Sequence, residues 1–153
     1  MTVAELIKTK TLVSETKVVP VELPPLKEQT PAQQVARVLD QIVQEFGYGY
    51  VYQKVWSIES SGVGCFYQKN GSPSCIVGQI LHKMGFNVAQ LKGNVNHMSW
   101  RGFAYENTPY YGEIPAAMKD RKVFDALQRL QQRQDEGMTW GEAVHIFKGE
   151  VGV

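Results

Sequence analysis

Apolar residues recur along the chain with two different spacings. Val35, Val38, Leu39, Ile42, Val43 and Phe46 follow one another at alternating steps of three and one, which puts all six on one face of a helix. Thr30 suits its N-cap, Pro31 its first position and Gly47 its end. At Tyr48 the period changes to two. Tyr50, Tyr52, Lys54 and Trp56 then lie on one side, with Val51, Gln53 and Val55 on the other. This alternation, in residues that favour extended backbone, predicts a strand. A flexible loop over 57–64 separates it from a second short strand at 65–69, and an antiparallel hairpin is the simplest way to join them.

Asn70-Gly71 is a turn signal followed by a helix start. Ser72 or Ser74 is expected to cap that helix beside Pro73, and Ile76, Val77, Ile80, Leu81 and Met84 form its apolar stripe before Gly85 stops it. Gly78 lies inside this helix, where glycine costs about 1 kcal/mol relative to alanine, so a close backbone contact is expected there. A short helical turn over 88–91 follows Asn87. Residues 93–115 have no regular period. A further helix over about 120–136 turns Val123, Phe124, Leu127 and Leu130 inward and carries Arg121, Asp125 and Arg129 outside at i, i+4 spacing. Gly137 ends it. Thr139 and Glu142 form a capping box for a last helix that runs to about Lys148.

The implied fold is α+β: four to five helices packed with a small antiparallel hairpin. One globular domain is expected over 30–149, with a C-terminal tail at 150–153. Residues 1–29 read as an extended or flexible arm, because Pro20, Pro24 and Pro25 fix φ and withhold donors. Val18, Val19, Val21, Leu23 and Leu26 make the arm apolar enough to dock on its own domain or on a partner.

Sixteen Lys and Arg against fifteen Asp and Glu give a net charge of +1, so no overall field draws the chain to polyanions, and dedicated nucleic-acid binding is not expected. No apolar run is long enough to cross a membrane. The start of the chain lacks the pattern of a secretory signal. Two cysteines, Cys65 and Cys75, make no disulfide framework. A soluble protein in a reducing cytoplasm is the expectation.

The block Cys65-Phe66-Tyr67, Gly71, Pro73, Cys75-Ile76-Val77-Gly78, Leu81 and Gly85, followed by Arg133-Gln134-Asp135, Gly137, Trp140-Gly141 and Ala143, resembles small proteins of actinobacteria and their phages. The similarity covers residues 33 to 148. That group has no established activity to carry over. The resemblance implies a setting, a phage or its bacterial host, with the host cytoplasm or the virion as the location.

Two places hold candidate chemistry. Cys75 lies in the first turn of a predicted helix, where the macrodipole stabilises a thiolate. With His97 as base and Asn94 or Asn96 as orienter it would make a cysteine hydrolase or transferase. The competing reading is a buried core cysteine. Cys65, Cys75, His82 and His145 lack metal-ligand spacing, and no phosphate loop, dinucleotide, zinc-protease or serine-hydrolase string is present. No metal or cofactor is expected. The second place is the aromatic stretch Met98, Trp100, Arg101, Phe103, Tyr105, Tyr110 and Tyr111. Trp, Tyr and Arg carry most of the binding energy in interfaces; the same residues also close over a core beneath a long loop. The leading expectation is a non-enzymatic protein that binds a protein partner, or a second copy of itself, through Trp100, Arg101, Phe103, Tyr105, Tyr110 and Tyr111. A small-ligand or nucleotide-binding module, with aromatics stacking on bases, is the other alternative.

Overall fold

A computed structural model describes the backbone of residues 28–57 and 62–153, and the side chains of 28–54 and 65–153. The expected arm at 1–29 thus lies outside the described residues except for Glu28 and Gln29. Helix α1 spans Pro31–Phe46. Thr30 Oγ1 accepts from Gln33 N at 3.1 Å and Gln33 Oε1 accepts from Thr30 N at 3.0 Å, so two backbone donors at the helix start are satisfied reciprocally. Val35, Leu39 and Ile42 are fully buried, as their spacing requires.

The expected strand over 48–56 forms only at its end. Strand β1 (Val55–Ser57) pairs antiparallel with β2 (Gly62–Gly64), Trp56 facing Val63. The preceding residues have another use. The carbonyls of Tyr48 and Tyr50 accept from Gly141 N (2.9 Å) and Trp140 N (2.8 Å), at the start of the last helix, where backbone donors have no partner within the helix itself.

A second hairpin corrects the reading of Asn70-Gly71. β3 (Gln68–Lys69) pairs with β4 (Ser72–Pro73), and the two residues between them have φ of 55° and 85°, as in the two-residue hairpin turn that Asn-Gly favours. Helix α2 (Ile76–Lys83) begins only after it, and its N-cap is Cys75 rather than Ser72 or Ser74. Ser74 Oγ instead lies 2.6 Å from Tyr52 Oη. Gly78 meets the backbone closely, as expected: a Cβ there would lie 2.1 Å from the carbonyl oxygen of Tyr67.

After 3-10 turns at Val88–Gln90 and Gly93–His97 come α3 (Trp100–Phe103), a 3-10 turn at Tyr111–Glu113, α4 (Ala116–Lys119), α5 (Arg121–Asp135) and α6 (Trp140–Val151). The fold is α+β, with four long helices, two single-turn ones and two small hairpins among the described residues. Among the described residues no helix is long and apolar enough to cross a membrane. Helix α6 packs on both α1 and α5, while α2 and α4 pack on α1. Three glutamines of α5 reach out of this bundle. Gln128, Gln131 and Gln134 offer Oε1 to Arg101 N (2.8 Å), Trp100 N (2.6 Å) and Ile76 N (2.7 Å).

Glu150 and Val151, expected in a tail at 150–153, belong to a helix. Helix α6 continues to Val151, which is buried, and Gly152 caps it at φ 81°. Glu150 holds the last turn to α5 through Arg129 (2.8 Å) and Arg133 (3.1 Å). Burial alone would raise its carboxyl; the hydrogen bonds from Arg133 and Arg129 outweigh that and hold it below the usual carboxylate range.

Two glycines in helices make a matched test of packing. Gly78→Ala is expected to destabilise by about 1–3 kcal/mol, the usual range for overpacking, because its obstacle is backbone. Gly149→Ala in α6, with nothing within 4 Å of the added carbon, should stabilise by about 0.5–1 kcal/mol. Urea unfolding of both reads the opposite signs. Glu150 gives a test in pH. A carboxyl whose folded pKa is depressed stabilises above its unfolded pKa, and the gain disappears as pH falls through the folded value. Glu150→Gln should therefore cost about 1 kcal/mol at neutral pH. The gap in melting temperature to the parent should close in acid, once pH falls below the lowered folded value; a gap that persists when the carboxyl is protonated would assign it to packing.

Candidate functional site

Helix α3 stands on the middle of α5, tied to it at Arg101 N and Trp100 N by the glutamines above. That junction brings the Arg101 guanidinium 5.5 Å above the ring of Phe124 and puts its Nη2 3.1 Å from Asp125. Arg121, one turn before Asp125, approaches the same carboxylate at 3.6 Å. Across from them, Lys119 at the end of α4 donates to the carbonyl of Tyr111 (3.1 Å) and lies 4.5 Å over its ring. Between these elements is a groove of about 390 Å³, open to solvent along one side and bordered by Tyr105 and Glu106. Thr108 Oγ1 lies 3.0 Å from the carbonyls of both Phe103 and Tyr105 and shapes the turn that carries Tyr105 to the rim. The groove combines aromatic faces with cations, which suits it to binding.

The aromatic segment therefore divides. Arg101, Tyr105 and Tyr111 reach the groove. Trp100 and Phe103 do not, and this corrects their expected place in a recognition surface: both are 0% exposed. Trp100 packs against Phe103 and Phe124, and Phe103 against Tyr67, Phe86 and Tyr110. Among the described residues the buried indole Nε1 of Trp100 has no hydrogen-bond partner. Tyr110 is half-buried, its ring on Phe86 and its hydroxyl donating to the Gln90 carbonyl at 3.4 Å. The groove also contains residues not expected in it, Lys119, Arg121, Phe124 and Asp125. In the sequence Arg121 and Asp125 look like an ordinary surface pair on a helix. No local pattern shows that α3 comes to rest beside them.

Cys75 sits where a helix starts, but it is enclosed. The side chain is 0% exposed and its Sγ accepts from Gly78 N at 3.4 Å. Burial pushes the thiol up to about 12, against the small downward pull of that backbone donor, so it is neutral at neutral pH. His97 is exposed and its ring meets Phe66 edge-on at 5.5 Å. Asn96 is buried in a different task, exchanging hydrogen bonds with the backbone of Gln68 at 3.0 Å each. The nucleophile, base and orienter are thus not brought together as a triad by any hydrogen bond among the described residues. Cys65 is half-buried; burial, and then the carboxylate of Asp135 beside it, hold its thiol well above the ordinary range. Among the described residues no group of His, Cys, Asp and Glu could hold a metal ion.

No known protein family, curated protein or solved structure matches the chain. The burial of Cys75 has a direct readout in intact mass. Brief iodoacetamide treatment of the native protein at neutral pH should leave Cys75 unmodified, and unfolding in urea should expose it to full alkylation. Native alkylation as fast as in urea would restore a reactive thiol.

Proposed function

We propose that this chain is a non-enzymatic binding protein that holds a segment of a partner protein in the groove between α3, α4 and the start of α5. One observation carries the reading: Tyr105, 54% exposed, stands at the rim of a groove whose floor is cations seated on aromatic rings. Tyr and Arg are the side chains on which interface energy concentrates. An extended segment fits an open groove, whereas a small ligand is usually enclosed over most of its surface. The buried neutral thiol of Cys75 gives the hydrolase alternative no support. With the resemblance to actinobacterial and phage proteins, the role is that of a phage-encoded accessory factor acting on a host protein or within the particle.

A photo-crosslinking amino acid placed at Tyr105 tests the reading, with Tyr48 as the exposed control. In lysate of infected host cells a protein should attach at position 105 and not at 48, and excess parent protein should compete it away. Arg121→Glu should weaken that capture by about tenfold with the melting temperature unchanged, as expected for an exposed charge at an interface. No adduct specific to position 105 would end the proposal.

A further inference from the structure

The charges in the groove also point to the chemistry of its occupant, an inference that rests on the binding role just proposed. Arg101 and Arg121 share the single carboxylate of Asp125, so one positive charge of that trio is left over. Lys119 has only neutral partners among the described residues, the carbonyl and ring of Tyr111. Among the described residues Glu106, at the rim, is the one other acid bordering the groove. The lining therefore holds three cations and two carboxylates, with the surplus near Lys119 and Arg121. The side chain of Arg121 is 93% exposed, so it can turn from Asp125 to an incoming carboxylate with little loss of hydration. A guanidinium recognises such a group through two parallel hydrogen bonds.

The rings are not equally engaged. Phe124 lies under Arg101 and Tyr111 under Lys119. The ring of Tyr105 meets no other ring and no cation among the described residues, and it is exposed. From these positions the geometry points to an acidic peptide segment that carries an aromatic side chain. Its ring rests on Tyr105, while flanking carboxylates reach Arg121 and Lys119. A nucleotide fits less well, because Asp125 and Glu106 share the lining with the cations and repel the concentrated charge of a phosphate chain, whereas a peptide can space single carboxylates between them.

The probe is a fluorescein-labelled peptide, Gly-Asp-Glu-Trp-Glu-Asp-Gly, followed by fluorescence anisotropy with the full chain. Its counterpart with lysine at every acidic position and a labelled ATP analogue are the other arms. The acidic peptide should bind, more weakly as salt rises from about 50 to about 300 mM, and at least about tenfold more tightly than the lysine peptide. Arg121→Glu and Lys119→Glu should each cost about tenfold. Asp125→Asn should strengthen binding several-fold, since it removes the internal competitor for both guanidiniums; a purely structural role for Asp125 would weaken it instead. Melting curves show that each variant is folded. Equal binding of the lysine peptide, preference for the ATP analogue, no binding of the acidic peptide, or no gain with Asp125→Asn would overturn the assignment. A partner crosslinked at Tyr105 through a neutral or basic segment would overturn it while leaving the binding role in place.

Discussion

The amides of Ile76 and Trp100 begin two helices inside an apolar interior, where a donor left without a partner costs about 1–3 kcal/mol. Each is met by a glutamine from α5, Gln134 at 2.7 Å and Gln131 at 2.6 Å. Gln131 also donates to the hydroxyl of Tyr67, which in turn donates to the carbonyl of Met98. A single helix thus satisfies the first-turn amides left over by its neighbours' own N-caps, Cys75 on Gly78 N and Ser99 on Gly102 N. Residues 86–115 have little regular structure, and their buried backbone depends on such amides. Asn96 and Gln68 exchange hydrogen bonds, and Gln68 Nε2 donates to the Leu91 carbonyl at 2.6 Å. Because α5 fixes where α3 starts, it also fixes Arg101 above Phe124 and beside Asp125. The groove is a consequence of that capping.

The helices could be read from the sequence where periodicity and capping agree. Thr30, Pro31 and the six apolar positions of α1 all indicate the same element, and the structure has it. Gly78 was legible for a related reason: a residue that weakens a helix is retained where a side chain would collide, here with the Tyr67 carbonyl. The strand expected over 48–56 forms only from Val55, because alternation reports which side chains face inward, not what the backbone bonds to. Tyr48 and Tyr50 give their carbonyls to the start of α6, and the ring of Tyr48 lies where any side chain at Gly141 would have to go. Extended backbone that caps a helix has the same sequence signature as a strand.

The aromatic segment shows a second limit. Trp100, Phe103 and Tyr105 belong to the same few residues, yet the first two are sealed and the third is half exposed. Composition marks such a stretch as rich in large side chains, but its division between core and surface is set by α5, twenty or more residues further on. Cys75 was ambiguous for a similar reason. A cysteine at a helix start is a reactive thiolate if solvent reaches it and a weak cap if the interior closes over it. Tyr67, Ile76 and Val77, all buried in the same core as Cys75, decide for the second.

The sealed half of that segment also bears on binding. A loop that must be ordered when its ligand arrives gives up part of its interaction energy to that ordering, about 0.5–1.5 kcal/mol for each side chain immobilised. Here Trp100 and Phe103 anchor the loop into the core before any partner comes. Thr108 closes the turn below Tyr105, and the rings of Phe124 and Tyr111 already carry their cations. Most of the ordering has been done during folding. Arg121 and Tyr105 stay largely exposed, which places them to meet a partner early. Under the proposed binding role, the burial of Trp100 and Phe103 pre-orders the loop that presents Tyr105, and the two readings of this stretch in the sequence become parts of one arrangement.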